Sequence, residues 1–320
     1  MKDASKPFNP HAVAAPADAD ARNWVDRYAP AAAKPYLRLM RADRPIGSWL
    51  LLLPCWWGLA LGGASEGANW PLLAWQGALF FIGAFVMRGA GCAYNDIVDR
   101  DFDAKVERTA LRPIPSGQIS LRNAWAFLIA LCLVGLIVLL QFNPFTIFLG
   151  LASLGLVAAY PFMKRITWWP QAWLGLTFNW GALMGYAAVT GKLSVSTALL
   201  YVAGISWTLG YDTIYAHQDK EDDALIGVKS SARRLGEKTK PALWLFFGAV
   251  LALFAVAGVV ERFSAYYFVA LAPAALHFTW QARSVDIDAP QSCLAIFKSN
   301  REAGLLLLAA LLLEAALRSA

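Results

Sequence analysis

Two groups of acidic side chains in this sequence have the spacing of a metal-binding site. The first group lies in residues 95–103, directly after an apolar run, and within it the Asn95 amide and the carboxylates of Asp99 and Asp103 are spaced four residues apart. On a helix such residues fall on one face, and stacked carboxylates repel one another unless a cation lies between them. Oxygen ligands without His or Cys suit Mg²⁺, which binds proteins through one or two carboxylates plus phosphates. Taken alone, the group could also be a solvated acidic loop.

The second group also follows an apolar run, which weakens the explanation by a chance acidic loop. The residues on one helical face of this group are Asp212, Tyr215, Asp219 and Asp223. Two matched groups could hold two metal ions around one diphosphate. Asp212 lies deepest in its apolar run, and an acid inside a membrane span is a functional candidate by default. It could also cap or hydrogen-bond a neighbouring helix.

Basic side chains accompany both acidic groups. They flank the apolar runs on the same side as the acids and include Arg41, Arg44, Arg108, Arg112, Lys164, Arg165 and Lys298. Arg recognises phosphate or carboxylate through two parallel hydrogen bonds, whereas Lys supplies a point charge. Acids, a metal ion and cations together describe a site for a polyanion attached to an apolar group, such as a lipid diphosphate. Each cation taken alone could be an ordinary charge of a membrane loop.

The elements that must position these residues are predicted to be transmembrane helices. Of the 320 residues, 58% are hydrophobic and 16% are charged, and the mean hydropathy is +0.46. A soluble domain carries about 25% charged residues. This composition excludes a disordered chain, a DNA-binding module and an ordinary soluble enzyme. The four Cys residues are too far apart to indicate a disulfide framework or a metal site.

Nine apolar runs are close to the roughly 20 residues that a helical span needs. They cover residues 46–63, 73–94, 123–140, 144–162, 171–190, 195–216, 241–260, 265–282 and 303–317. The sequence therefore predicts an all-α bundle of nine transmembrane helices over residues 36–320. Residues 1–35 are predicted to be a disordered or interfacial tail. They lack the apolar run of a signal peptide, and their Asp residues argue against a mitochondrial transit peptide.

The basic residues fall almost entirely on one side of the predicted membrane domain. With nine spans, 24 of the 28 Lys and Arg residues lie on the side of the N-terminus, three lie on the other side, and Arg88 lies inside the second span. We call the side with 24 the basic face. The positive-inside rule makes it cytoplasmic and places the C-terminus outside. Both acidic groups emerge on this face. The net charge of +6 thus reflects membrane topology and does not indicate a nucleic-acid partner.

The motifs that carry these residues resemble those of the UbiA family of membrane prenyltransferases. The first reads Asn-Asp-Ile-Val-Asp-Arg-Asp-Phe-Asp over 95–103 and continues with Arg-Pro-Ile-Pro-Ser-Gly over 112–117. The second reads Asp-Thr-Ile-Tyr-Ala over 212–216, and Tyr-Pro-Phe-Met-Lys-Arg over 160–165 also matches. The resemblance extends from about residue 36 to the end of the chain.

The resemblance implies a UbiA-type nine-helix bundle and an Mg²⁺-dependent reaction. A polyprenyl group would pass from polyprenyl diphosphate to the ring carbon ortho to the hydroxyl of 4-hydroxybenzoate, in ubiquinone biosynthesis. The implied metal ligands are Asn95, Asp96, Asp99, Asp103, Asp219 and Asp223, and the implied diphosphate ligands are Arg44, Arg108, Tyr160 and Lys164. The expected catalytic residues are Asp99, Asp103, Asp212, Asp219 and Asp223. Arg165 is the candidate for the acceptor carboxylate, unless it only anchors its helix at the lipid headgroups.

The expected location is a bacterial inner (cytoplasmic) membrane. The expected surroundings are the lipid bilayer, with no nucleic acid and no obligate protein partner. A UbiA-type enzyme for another aromatic acceptor or for haem is the main alternative. A secondary transporter also has many helices and intramembrane acids, but its sites usually lie near the membrane midplane within inverted repeats. Here the acids lie at one face.

Overall fold

The structure is a computed structural model that describes residues 23–104, 109–225 and 227–319, and of residues 222, 223 and 225 it describes the backbone only. All regular elements in these ranges are helices. The first eight α-helices are α1 (Trp24–Tyr28), α2 (Lys34–Leu39), α3 (Ile46–Glu66), α4 (Trp70–Asp103), α5 (Leu121–Leu139), α6 (Pro144–Ile166), α7 (Pro170–Phe178) and α8 (Trp180–Thr190). The other eight are α9 (Val195–Ala216), α10 (Lys220–Leu225), α11 (Ser231–Leu235), α12 (Thr239–Val260), α13 (Ala265–Ala270), α14 (Ala272–Ser284), α15 (Pro290–Lys298) and α16 (Asn300–Ser319). Two 3₁₀ turns, His217–Asp219 and Gly236–Lys238, complete the described elements. The predicted all-α architecture is therefore confirmed.

Five segments of the described chain are long and apolar enough to cross a membrane. They are α3, α4, α5, α6 and the segment Ser231–Val260 that ends with α12. α9 coincides with the predicted span 195–216, and α16 contains the span predicted at 303–317, but neither helix is among these five segments. Nine membrane spans and the direction of the N-terminus thus remain predictions.

Two of the nine predicted spans are each divided into two helices. The span predicted at 171–190 is interrupted at Asn179, whose buried amide donates to the Gly175 carbonyl and to the Thr208 hydroxyl of α9. The span predicted at 265–282 is interrupted at Leu271. Pro273 follows two residues later, and proline cannot supply the backbone N–H that a continuous helix would need there. Apolar composition alone does not reveal these interruptions.

Close packing of α3 against α8 holds the centre of the bundle together. A side-chain carbon at Gly58 would overlap the Ala182 carbonyl, and one at Gly185 would overlap the Cys55 carbonyl. Small residues let two membrane helices approach until their backbones touch. α16 packs on another side of α3, and α9 packs against α7 and α12.

α4 continues well beyond the predicted span and ends at Asp103. This confirms that the first acidic group lies on a continued helix. Residues 67–69 alone separate α3 from α4, so the two helices run in opposite directions. The start of α3 and the end of α4 consequently lie at the same end of the bundle.

The short helices α1 and α2 lie beside the second half of α4. Val25 and Leu39 are buried in a cluster with Ala90, Ala93 and Ile97 of α4. Residues 1–22 lie outside the described residues, so the division into a tail over 1–35 and a domain over 36–320 stays a prediction.

Candidate active site

The first acidic group lies buried at the C-terminal end of α4. Asp96 and Asp99 have no exposed surface, Asp103 is 7% exposed, and Asn95 is half-buried. Burying a carboxylate costs free energy unless a cation or hydrogen-bond donors accompany it. All three carboxylates accept hydrogen bonds from cationic side chains of other segments.

Asp99 is paired with two cations at the end of α6. Lys164 Nζ donates to Oδ2 at 2.6 Å, and Arg165 Nη2 donates to Oδ1 at 3.1 Å. The Arg165 guanidinium also lies over the Phe102 ring, 4.6 Å from its centroid. The structure thus brings Lys164, predicted to bind diphosphate, to a predicted metal ligand. It places Arg165, predicted to bind the acceptor, at the same carboxylate.

Asp96 and Asp103 share the guanidinium of Arg112. Arg112 Nη1 donates to Asp103 Oδ2 at 2.7 Å and to Asp96 Oδ1 at 3.2 Å. Arg41 Nη2 donates to both oxygens of Asp96, at 2.8 and 2.9 Å. Thr109 donates its hydroxyl to the Asp103 carbonyl at 2.8 Å. This last bond fixes the returning chain against the end of α4.

The second acidic group lies at the end of α9 and in the helical turns that follow. Asp212 is half-buried in α9, and Asp219 is half-buried at the end of a 3₁₀ turn. Asp223 belongs to α10, and its side chain lies outside the described part of the chain. Burial lowers the pKa of His217 to about 4, and its Nε2 lies 2.9 Å from Thr239 Oγ1. His217 is therefore neutral at neutral pH and adds no cation to this group.

α6 joins the two acidic groups. Tyr160 of α6 is half-buried and lies within electrostatic interaction range of both Asp99 and Asp212. Beyond the second acidic group, Lys229 N donates to the Lys164 carbonyl at 3.0 Å. The Lys229 ammonium donates to the Ile166 carbonyl at 3.1 Å. The end of α6 therefore contacts the first acidic group directly, through Asp99, and contacts Lys229 beyond the second.

Arg88, the cation that the sequence places inside the second predicted span, lies deeper in the same region. Arg88 is half-buried in α4, one face of its guanidinium lies 5.4 Å from the centroid of the Phe178 ring, and it interacts electrostatically with Asp212. Its buried Nε has no hydrogen-bond partner among the described residues. A charged residue inside a membrane span is costly and usually functional, so its position within a span was the signal that could have assigned it to the site.

The two remaining predicted diphosphate ligands differ in what the structure says of them. Arg44 lies just before α3, with its Nη2 3.3 Å from Asp43 Oδ2. It lines a cavity of about 560 Å³ together with Trp49 and Lys298. Arg108 lies outside the described residues. The predicted roles of both in diphosphate binding stay predictions.

The donor set fits a hard divalent cation that is held together with a ligand. In the described ranges, no three His, Cys, Asp or Glu side chains are grouped so that they alone could hold an ion. The ligand types at the end of α4 are carboxylate and amide oxygens, which suit Mg²⁺, and this ion commonly keeps phosphate oxygens as its other ligands. The cations gathered on Asp99 and Asp103 show that this group attracts positive charge. These side chains therefore fit Mg²⁺ bound with a diphosphate better than a metal site made of protein alone.

Comparison with known proteins identifies the family. The model of the UbiA prenyltransferase family matches residues 51–311. The chain belongs to this family. The match includes the predicted ligand motifs of α4 and α9 and the Tyr160–Arg165 segment. Arg41 and Arg44 lie outside the matched range.

Several relatives of this UbiA-family chain carry the name of one enzyme. This chain is 51% identical over 276 residues to "4-hydroxybenzoate polyprenyltransferase, mitochondrial" of Aedes aegypti. The alignment covers 85% of this chain and 62% of the relative. Proteins of the same name from Drosophila melanogaster and Homo sapiens are each 50% identical, with 90% and 87% of the chain covered and 73% and 74% of the relatives. The chain thus spans less than two thirds of the length of the Aedes protein and about three quarters of the other two.

The names of these relatives contradict the predicted location. All three are named as mitochondrial proteins, so the prediction of a bacterial inner membrane is wrong. That prediction rested on the absence of targeting signals in residues 1–35. The membrane domain needs long apolar helices in any bilayer, so it does not indicate the compartment. The composition of a terminal segment is then the remaining sequence signal, and it is a weak one.

Solved structures confirm the UbiA fold. A UbiA homologue from Aeropyrum pernix K1, solved in its apo form, has a TM-score of 0.68 and 26% identity, with 83% of this chain and 97% of that chain covered. A UbiA homologue from Archaeoglobus fulgidus bound to GPP and Mg²⁺ has a TM-score of 0.64 and 18% identity, with 88% and 99% covered. At 18% identity, the second likeness shows that the fold is shared and shows no ligand or activity of this chain.

Proposed function

We propose that this chain transfers a polyprenyl group from polyprenyl diphosphate to the ring carbon ortho to the hydroxyl of 4-hydroxybenzoate, with Mg²⁺. The observation that carries the proposal is the set of buried, cation-paired carboxylates at the end of α4. The relatives at about 50% identity are named for this activity, which supports it over another aromatic acceptor or haem. The Archaeoglobus homologue was solved with a prenyl diphosphate and Mg²⁺, which supports the metal.

Binding the diphosphate is the task of both acidic groups and their cations. The residues that would hold the metal are Asn95, Asp99, Asp103, Asp219 and Asp223, with the sixth predicted ligand, Asp96, supporting them. Bound Mg²⁺ supplies positive charge to the diphosphate as the allylic C–O bond ionises. Lys164 is hydrogen-bonded to Asp99 and Arg112 to Asp103. Both cations are therefore close enough to turn towards the diphosphate oxygens and stabilise the negative charge that develops there. Arg44, Arg108 and Tyr160 are proposed to join them.

The interior next to this site protects the allylic cation that ionisation produces. Tyr160 is half-buried there, and aromatic faces stabilise a nearby cation. Exclusion of water prevents the cation from being hydrolysed before the acceptor attacks. The ring carbon ortho to the acceptor hydroxyl then forms the new C–C bond, and the ring must lose a proton from that carbon. Asp212, half-buried near Tyr160 and Arg88, is the proposed acceptor of this proton.

A transfer assay with labelled 4-hydroxybenzoate tests the proposal. Purified protein is given a prenyl diphosphate and Mg²⁺, and prenylated product is measured before and after chelation with EDTA. Asp99→Asn and Asp219→Asn are expected to lower the rate by about 100-fold or more, as removal of one group stabilising transition-state charge typically does. The matched control is Asp101→Asn, since Asp101 is on the same helix end, 79% of its side chain is exposed and it pairs with its neighbour Arg100.

The control variant is expected to retain its rate, and EDTA is expected to abolish that of the parent protein until Mg²⁺ is restored. Full activity after chelation would overturn the metal requirement. Product with a different aromatic acid or with haem, and none with 4-hydroxybenzoate, would favour the alternative acceptors. The relatives' names also support a mitochondrial membrane as the location, which fractionation of the source cells would test.

A further inference from the structure

Arg41 has an unusual backbone conformation in the turn between α2 and α3. Its φ is +61°, in the left-handed region that non-glycine residues rarely adopt. Such a conformation costs free energy and persists only where surrounding contacts maintain it. The turn that contains Arg41 links α2 to α3, and it directs the Arg41 side chain towards the end of α4.

The contact that ties this turn to α4 is made to Asp96, while Arg41 Nη1 also donates to the Arg38 carbonyl within the turn at 3.1 Å. Arg41 Nη2 donates to Asp96 Oδ1 at 2.8 Å and to Oδ2 at 2.9 Å, and Arg112 Nη1 adds a third bond to Oδ1 at 3.2 Å. The Asp96 side chain is 1% exposed and that of Arg41 13%. Both carboxylate oxygens therefore already have charged donors in a place that is closed to solvent.

Asp99 and Asp103 differ from Asp96 in the exposure of their partners. Lys164 and Arg165, which hold Asp99, have side chains 30% and 38% exposed, and Arg112, which holds Asp103, is 21% exposed. These cations can turn towards an incoming diphosphate and release the carboxylates to a metal ion. Arg41 is the least exposed of the four cations that contact these carboxylates. The left-handed turn at its own backbone also restricts where its side chain can go.

We propose that Asp96 is not a ligand of Mg²⁺ but the anchor of Arg41, and that Arg41 is a positioning residue for the metal–diphosphate site. By neutralising Asp96, Arg41 leaves Arg112 available to Asp103 and to the diphosphate. This inference rests on the proposed diphosphate chemistry of the site. It reassigns Asp96, which the sequence motif grouped with the metal ligands.

Removal of the Arg41 charge has a defined consequence. Asp96 would then be a buried carboxylate with Arg112 as its remaining cation in these contacts, and it would draw Arg112 away from Asp103 because an unpaired buried charge is costly. Metal and diphosphate binding would weaken although no ligand was removed. Neutralising Asp96 as well should reverse the effect, because Arg112 is then no longer withdrawn.

The test measures binding without an acceptor. The probe is Mg²⁺ titrated by calorimetry into detergent-solubilised protein that is saturated with a geranyl thiolodiphosphate, which does not ionise. Arg41→Gln is expected to raise the Kd for Mg²⁺ at least tenfold. Asp96→Asn is expected to stay within threefold of the parent protein, and the double variant Arg41→Gln/Asp96→Asn should return to within threefold.

Two matched controls separate positioning from anchoring and from coordination. Arg38→Gln breaks the ion pair between Arg38 and Asp26 in the same N-terminal segment, where the two side chains approach to 2.5 Å and Arg38 is 7% exposed. It is expected to change the Kd less than twofold. Asp99→Asn removes a proposed ligand and is expected to raise the Kd at least as much as Arg41→Gln.

Three results would overturn the inference. Asp96→Asn weakening Mg²⁺ binding as strongly as Asp99→Asn would make Asp96 a ligand. Equal effects of Arg41→Gln and Arg38→Gln would make Arg41 a simple anchor, and a double variant no better than Arg41→Gln would remove the link between the two residues. If Arg41→Gln does not fold, the comparison of Asp96→Asn with Asp99→Asn still decides the assignment. Failure of transfer to 4-hydroxybenzoate would refute the proposed acceptor. The Kd values of the variants for Mg²⁺ test only the roles of Arg41 and Asp96, because they are measured without an acceptor.

Discussion

Arg165 and Arg88 are the two candidates for binding the carboxylate of the acceptor, and their surroundings differ. Arg165 is 38% exposed and is already bound to Asp99 and stacked over Phe102. Arg88 lies deeper, close to Asp212, and has a buried Nε without a hydrogen-bond partner in the described chain. A buried donor without a partner costs free energy, and a carboxylate would satisfy it. Arg88 therefore has the environment of a binding residue, while the assignment of Arg165 from the sequence stays a prediction.

Substrate affinities of lysine variants separate these two arginines. Lys keeps the charge but cannot form the two parallel hydrogen bonds that Arg offers a carboxylate. Losing such a charged contact costs about 2–5 kcal/mol, roughly 30- to several-thousand-fold. We expect Arg88→Lys to raise the KM for 4-hydroxybenzoate by about 30-fold or more while the KM for the prenyl diphosphate changes less than threefold. Arg165→Lys should affect the diphosphate at least as much as the acceptor. The opposite pattern, measured by varying each substrate in turn, would restore Arg165 as the acceptor's ligand.

At this scale the sequence predicts which residues gather but not how they are paired. Spacing on one helix brought Asp99 and Asp103 together correctly, because a continued helix fixes their relative direction. The pairing of Arg41 with Asp96 could not be foreseen, since it depends on a left-handed turn at a non-glycine residue. Similarly, Arg88 was visible as a charge within a span, but its neighbours come from α7 and α9.

At the scale of elements, packing decides where the helices begin, end and approach one another. The hydrophobic pattern located α9 to the residue because that helix is bounded by polar segments. It missed the interruption at Asn179, where a buried amide bonds across to Thr208. An interaction between distant segments leaves no periodic signal in the local sequence. The contact of α3 with α8 is of the same kind, since it depends on Gly58 and Gly185 meeting backbone atoms.

Substitution of Gly185 by Ala tests this helix contact. The added methyl group would overlap the Cys55 carbonyl, and such overpacking typically costs about 1–3 kcal/mol. Ala is otherwise favoured over Gly in a helix by about 1 kcal/mol. Gly155→Ala is the matched control, because nothing lies within 4 Å of its added carbon. We expect Gly185→Ala to lower the thermal midpoint in detergent, and Gly155→Ala to leave it unchanged or raise it. A midpoint for Gly185→Ala equal to that of the control would show that the contact contributes nothing to stability.

At the scale of the whole molecule, both acidic groups belong to one end of the bundle. The end of α4 lies with the start of α3, because residues 67–69 alone connect these helices at the other end. Tyr160 of α6 lies close to Asp99 of the first group and Asp212 of the second, and Lys164 of the same helix pairs with Asp99. This agrees with the charge count, which puts the acidic groups on the basic face. The count predicts sides from loop composition alone. The assignment of the basic face to the cytoplasm was tied to a bacterial inner membrane, and the relatives named as mitochondrial leave it without support.

Labelling of single cysteines in sealed vesicles tests this arrangement of faces. In a background without the four native cysteines, Ala224→Cys lies directly after the second acidic group and Ser65→Cys lies at the far end of α3. A membrane-impermeant maleimide is expected to label them from opposite sides. Glu237→Cys should label with Ala224→Cys, because both exposed residues lie in the connection between α9 and α12. Lys192→Cys should label with Ser65→Cys, because Lys192 pairs with Glu66 beside Ser65. Labelling of positions 224 and 65 from the same side would mean that an even number of spans lies between them. The acidic groups could then not be assigned to the opposite face from Ser65. Saturation with Mg²⁺ and a geranyl thiolodiphosphate before labelling adds a second measurement: it should slow the reaction at position 224 and leave position 65 unchanged, since the bound diphosphate lies at the face of the acidic groups.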